Sequence, residues 1–228
     1  MTQTTADRPL LKDVSVRAGT LGEAWITSLR TVYELGHWTE DDGIGTEITA
    51  GGVQLRECIN LTVEVDEADV NDPILAEHAA ADRIDLMLRK YRSIPALPEY
   101  PISYGALIYE NGGIDQIDWV IERIRKKRTT KSATICMHAP GIDELACLSM
   151  LDFKVREEKT IMNVVYRSQN VYSSQPGNIL AMRAIQQDVA DAVGAPPGPL
   201  FLFAASAHIY APDLDAVGDV LAAFDGSA

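Results

Sequence analysis

An α+β fold, one large mixed sheet with helices packed on it, is what this sequence predicts. Strand-like alternation of apolar residues fills residues 132–167 and returns at 199–205. Segments with helical spacing precede these strands and separate them, the pattern of a sheet covered by helices. The chain has 228 residues and 46% apolar content, which suits one domain over 1–228.

The elements follow in order. Residues 1–15 read as a flexible N-terminal arm, and "MTQTTADRPLLKD" lacks the apolar core of a signal peptide. Thr20 to Glu23 reads as a capping box, followed by Leu21, Trp25, Leu29, Val32 and Tyr33 at helical spacing. Alternation on either side of Gly51 and Gly52 suggests a hairpin. Residues 73–92 read as one helix, and 94–112, with its prolines and glycines, as a long loop. Ile114, Ile117, Val120, Ile121 and Ile124 mark an amphipathic helix. It ends in Arg123, Arg125, Lys126, Lys127 and Arg128, cations that suit a helix C-terminus. Strands at 132–138, 147–155 and 159–167 come next. A helix over 177–193 stops at Gly194, a C-cap, and strand 199–205 runs into "SAHIY" before a short helix at 213–224.

Charge and composition exclude several functions. The net charge of −13 argues against DNA or RNA polymers, whose phosphates demand a basic surface. A single nucleotide needs only a local cluster of cations. Three widely spaced cysteines make no disulfide framework. No apolar run reaches membrane-spanning length, so a cytoplasmic protein without a membrane partner is expected. No zinc spacing or phosphate-binding glycine loop occurs, and no metal is expected.

The chemistry-bearing residues are few. A lone cysteine at the start of an apolar strand, as Cys147 is, is more often inert core. As a nucleophile it would need a nearby cation, and Arg167 ends a neighbouring strand candidate. Cys136 and His138 share a strand face without further ligands. The stretch "NVVYRSQNVYSSQPGNI", residues 163–179, alternates apolar and hydrogen-bonding groups more regularly than a surface loop would.

Together these segments resemble thymidylate synthases. "LACLSMLDFKV" has that family's cysteine–strand pattern, with Cys147 where the nucleophile stands. "YRSQN", "PGNI" and "SAHIY" resemble its Arg-Ser-x-Asp, Pro-Phe-Asn-Ile and His-x-Tyr segments. "SYG" at 103–105, "IDQI" at 114–117 and the turn "GIGT" at 43–46 match in order. The resemblance runs from about residue 20 to about 212 and is poor between 60 and 100. It implies a catalytic set of Cys147, Arg167 and Tyr104. It implies substrate contacts from Arg167 and Ser168 to phosphate, Asn178 to the base edge, and His208 and Tyr210 to the ribose. Asn170 and Lys131 complete the implied set, Lys131 crossing from the partner of a homodimer.

The implied substrate is a nucleoside monophosphate such as UMP or dUMP, modified at C5 by hydroxymethylation or methylation. An amide at Asn178 suits the lactam edge that uracil and guanine share. The implied one-carbon donor is 5,10-methylenetetrahydrofolate. Departures lie on the folate side. Asn170 replaces the pterin-binding acid, Asp41 and Asp42 stand in place of the phosphate-loop arginine, and Lys131 and Ser132 replace an arginine pair. No clear counterpart of the catalytic glutamate, the folate-packing tryptophan or the C-terminal closing segment is present. A folate-independent reaction at a lactam base, and a non-catalytic nucleotide binder, therefore stand as alternatives.

Overall fold

Two long strands, β3 (Val53–Val65) and β8 (Pro197–Tyr210), form the spine of the sheet. The computed structural model describes residues 14–41, 52–100, 102–138 and 145–227. β3 and β8 run antiparallel, from Leu55 opposite Tyr210 to Val65 opposite Leu200. Each is long enough to take two partners on its free edge. β3 pairs antiparallel with β2 (His37–Asp41) and parallel with β1 (Ser15–Ala18). β8 pairs parallel with β6 (Lys159–Tyr166) along its first half and with β7 (Gln169–Asn170) near its end. β5 (Leu148–Arg156) and β4 (Thr134–Cys136) extend the sheet beyond β6, giving the order β1-β3-β8-β6-β5-β4. The β5–β6 turn places Glu157 and Glu158 at φ 48° and 57°, the left-handed pair that a two-residue hairpin requires.

One sheet face is buried under helices. Leu151, Phe153, Val155, Met162, Val164, Leu200 and Leu202 sit on it, all buried. α1 (Leu21–Leu35) packs there after the predicted capping box, in which Thr20 and Glu23 satisfy each other's backbone N–H groups. α6 (Gln175–Val193) ends at Gly194 in the left-handed conformation, as read from the sequence. α5 (Gln116–Lys126) buries Ile117, Val120, Ile121 and Ile124, at about 1.5–3 kcal/mol for each fully buried aliphatic chain. α7 (Leu214–Ser227) closes the described chain.

Several expectations change. The predicted arm ends early, because Ser15 already pairs with Thr62 in the sheet. The hairpin exists, but its first strand is β2; residues 42–51, including "GIGT" and Gly51, lie outside the described residues. Residues 73–92 form two helices, α2 (Pro73–His78) and α3 (Ala81–Arg92). Ala79 and Ala80 between them are extended, a break that propensity alone does not announce. The long loop contains α4 (Tyr104–Tyr109), a helix too short to show a period, capped by Ser103. Ile114 precedes α5 and is 55% exposed, because Asp115 caps the helix behind it. Arg125 and Arg128 cap a different helix, donating to the carbonyls of Ala192, Val193 and Gly194 at the end of α6.

Candidate active site

A cleft of about 770 Å³ opens where β5 begins and β6, β7 and β8 end. Cys147, Tyr104, Ser168, Asn170, Asn178, His208 and Tyr210 all line it. They arrive from five separate segments, and the register of the sheet brings them together. β6 leaves the β8 ladder after Tyr166, and β7 rejoins it only at Ala207. That gap frees Arg167 and Ser168 from regular pairing, which is why the apolar strand ends on an arginine. The Arg167 carbonyl still accepts from the Ser206 N–H at 3.2 Å.

The two residues before Cys147 are tightly held. Arg167 donates from Nε to the Ala146 carbonyl at 3.1 Å and from Nη2 to the Leu145 carbonyl at 2.8 Å. His138 Nε2 lies 2.9 Å from the same Ala146 oxygen, an acceptor only, so that nitrogen carries the proton. The Cys147 N–H donates to the Tyr104 hydroxyl oxygen at 2.8 Å, and its carbonyl accepts from the Arg167 N–H at 2.9 Å. Burial, and next the charge of a Cys147 thiolate, push the Tyr104 phenol well above its ordinary pKa. Tyr104 therefore keeps its hydrogen, which its bond to the Cys147 N–H leaves free to donate. Cys147 is half-buried at the cleft wall rather than sealed in the core. Cys58 is the sealed one, its thiol pushed up to about 11 by burial.

Asn178 lies one turn into α6 and is 6% exposed. Its Oδ1 accepts from the Tyr91 hydroxyl at 3.2 Å, and Tyr91 and Tyr166 share a hydrogen bond of 2.7 Å. Burial raises the pKa of both phenols, so this chain stays neutral. Next to it Gly177 lets α3 approach, since a Cβ there would stand 2.4 Å from Met87 Cβ.

His208 and Tyr210 stand edge to face, their rings 5.0 Å apart. Burial lowers the His208 pKa to about 4, against the opposing pull of Asp41, so the imidazole is neutral at pH 7. Its Nδ1 lies 3.5 Å from Ser168 Oγ. Burial, then the carboxylate of Asp41, push Tyr210 up to about 12. Asn170 is turned partly inward on its own backbone: its Oδ1 accepts from the N–H groups of Tyr172 and Ser173, at 2.9 and 3.0 Å. Only its amide N–H groups remain for a ligand. Lys131 stands apart, exposed between α5 and β4 and not on the cleft wall.

The part of the cleft wall that α3 supplies was not legible in the sequence. Arg83, Met87 and Lys90 line the cleft from one stripe of α3, and Trp25, Tyr100 and Tyr172 add aromatic surface. Trp25 is anchored by its Nε1–H to the Val171 carbonyl at 2.9 Å. Tyr166 was visible as the last residue of an apolar strand, but nothing in the sequence ties it to Tyr91. Among the described residues no group of three or more His, Cys, Asp or Glu is arranged to hold a metal ion, and no helix is long and apolar enough to cross a membrane.

A thiol on the wall of a nucleotide-sized cleft, on an α+β sheet whose strand ends carry the hydrogen-bonding groups, defines a class of proteins suited to covalent work on a small ligand. A family model described as thymidylate synthase matches residues 26–223. The chain belongs to the thymidylate synthase family, a family of nucleotide-modifying enzymes. It is similar to a protein of Methanococcoides burtonii, 27% identical over 213 residues that cover 90% of this chain and 94% of that one. It is also similar to a protein of Methanosarcina mazei, 28% identical over 212 residues with 90% and 94% covered. Both are provisionally named thymidylate synthases.

Proposed function

We propose that this protein uses Cys147 to activate the base of a pyrimidine nucleoside monophosphate such as UMP or dUMP, leading to hydroxymethylation or methylation at C5. The observation that carries this reading is the convergence of Cys147, Tyr104 and Asn178 on one cleft with Ser168, His208 and Tyr210. A thiolate adds to C6, and the C5–C6 π electrons move toward C5 and the C4 oxygen. C5 would then bond the incoming one-carbon unit and lose its proton as that carbon parts from its carrier nitrogen, which takes up a proton. Water would add to the resulting exocyclic methylene as the Cys147 sulfur leaves C6, giving the hydroxymethyl group. A methyl group would need a hydride from the donor in place of water. Covalent attack divides a difficult substitution into accessible steps. The Asn178 amide holds the lactam edge, donating to the carbonyl and accepting from the ring N–H. Ser168 and Arg167 take the phosphate, and the neutral imidazole of His208 and the Tyr210 hydroxyl take the sugar.

Folate fits the remaining wall in part. The pterin edge presents N–H donors and needs an acceptor. Asn170 Oδ1 is already engaged twice, and Asp213, on the same cleft, offers a carboxylate. Trp25 and Tyr172 supply flat apolar surface, and Arg83 would meet an anionic tail. When bound, 5,10-methylenetetrahydrofolate supplies the carbon unit. The test is mass spectrometry of products from a panel of nucleoside monophosphates, with and without the folate. A mass gain of a hydroxymethyl or methyl group on UMP or dUMP, dependent on folate, is expected. Modification of GMP without folate would replace this reading with the folate-independent one.

A homodimer belongs to the same proposal. The sheet face turned away from the helices carries Ile161, Val165, Phe201 and Phe203, only half-buried in one chain. Back-to-back packing would cover them and bring the partner's copy of residue 131 toward the phosphate. Light scattering at micromolar concentration should give twice the 24.9 kDa chain mass; a monomer would remove Lys131 from the site.

A further inference from the structure

Helix α3 comes from the stretch where the family resemblance is poorest, yet it places a lysine in the same cleft as Cys147, against the tyrosine that holds the Cys147 N–H. Lys90 lines the cleft with Cys147 and Tyr104. Its Nζ lies 3.6 Å from the ring centre of Tyr100 and 4.2 Å from that of Tyr104. Tyr104 in turn holds the Cys147 N–H at 2.8 Å. The ion pairs of α3 belong to its neighbours, Arg89 with Asp85 and Arg92 with Asp188. Among the described residues Lys90 has no carboxylate within ion-pair distance.

Aromatic faces hold a cation in place without neutralising it. Such a cation, partly withdrawn from water, is strongly attracted to an anion in the same cleft. Arg167 is less free for that purpose, since its Nε and Nη2 serve the Ala146 and Leu145 carbonyls. Burial brings the Lys90 ammonium down to about 8, with the charge of Cys147 pulling the other way.

We propose that Lys90 supplies the positive charge that holds Cys147 as a thiolate. In the step that arms the site, the Cys147 S–H bond breaks and the proton passes to solvent, while Lys90 stays an ammonium beside the thiolate; no electrons are gained or lost. Phenols face the pair from three other segments: Tyr100, Tyr104 of α4 and, through Tyr91, Tyr166 of β6. Burial keeps all of them protonated, so none competes as the counter-charge. Asp82 and Arg83 lie farther along the α3 stripe, and His208, Tyr210 and Asp213 line the cleft from β8 and the turn after it. The proposal rests on Cys147 being a nucleophile, but not on any substrate.

The experiment therefore uses no nucleotide. The rate of iodoacetamide alkylation is measured against pH in a Cys136→Ser background, which removes the exposed thiol. Cys58 stays silent because it is buried, and peptide mapping confirms the alkylated site. The expected alkylation midpoint lies below the free-cysteine value of about 8.5. Lys90→Met should raise that midpoint by about one unit or more and slow alkylation at pH 7 about tenfold. Lys90→Arg should keep the midpoint low, because it restores the charge. A wild-type midpoint at or above about 8.5 would overturn the proposal even if Lys90→Met failed to fold. So would an unchanged midpoint in folded Lys90→Met. If that variant also lost UMP binding, Lys90 would be a ligand contact instead. Failure of the nucleotide reading would appear separately, as a low midpoint with no product from any nucleotide.

Discussion

One part of the cleft wall, Cys147, Ser168, Asn170, His208 and Tyr210, comes from the ends of β5 to β8. Another part of its wall, Arg83, Met87 and Lys90, comes from a single stripe of α3. The strand-end wall is specified by ladders: Asn170 opposite His208, Leu148 opposite Tyr166. A one-residue slip would turn every side chain over, so short motifs in order are enough to place it. The helix wall has no such constraint. Its position depends on the break at Ala79 and Ala80 and on the close approach that Gly177 permits. The ladder register thus fixes the strand-end groups, while the place of the α3 groups follows from how that helix docks.

The sharpest way to break that division is at the nucleophile. Cys147→Ser should lower turnover by about a thousandfold or more and leave nucleotide binding nearly intact, because a hydroxyl is a poor nucleophile without a dedicated base. Calorimetry with UMP alongside a product assay separates the two effects; substantial residual turnover would end the covalent mechanism.

A smaller loss is expected where the walls meet. Asn178→Asp opposes a carboxylate to the base carbonyl, and an unsatisfied buried polar group costs about 1–3 kcal/mol. The kcat/KM for a uracil nucleotide should fall about ten- to a hundredfold. Cytosine nucleotides, whose amino group a carboxylate accepts well, should gain. Competition between UMP and CMP reads the shift directly. A loss with no gain for cytosine, in a protein that prefers a guanine nucleotide, would favour the purine alternative.

His208 tests the strand-end wall through stability rather than rate. The folded imidazole takes a proton only near pH 4, whereas the unfolded one takes it near the ordinary value of 6.5. Between these values unfolding takes up a proton, so stability falls as pH drops from about 6.5 toward 4 and is fully present above that window. The loss should approach about 3 kcal/mol at the acid end. Urea melts across this range should show it, and His208→Gln should remove that part of the slope. Equal slopes in both proteins would mean that the imidazole is not sequestered.

The smallest effect concerns α3. Tyr91→Phe removes the donor on Asn178 Oδ1 and leaves the Tyr166 hydroxyl without that partner. Stability should fall by about 1–2 kcal/mol. The preference for uracil over cytosine should weaken only a few-fold, since the amide is free to turn without being lost. A thermal melt with the same competition assay measures both. Unaltered selectivity would assign base choice to the strand-end wall alone.

The sequence by itself determined the α+β class, the capping box at Thr20 and Glu23, the Gly194 stop, and the order of the motifs that end on Cys147, Asn178 and His208. These are local properties, written in periodicity and in residues a few positions apart. Only the tertiary structure decided that Arg167 serves the Leu145 and Ala146 carbonyls before Cys147, that Asn170 spends its oxygen on its own loop, and that Arg125 and Arg128 cap the far end of α6. Nor could the sequence have joined Tyr91 to Tyr166, 75 residues away, or to Asn178, 87 residues away. Such bonds form only after the sheet has set its register and α3 has docked on α6. Their partners are chosen by packing, which leaves no periodic trace in the chain.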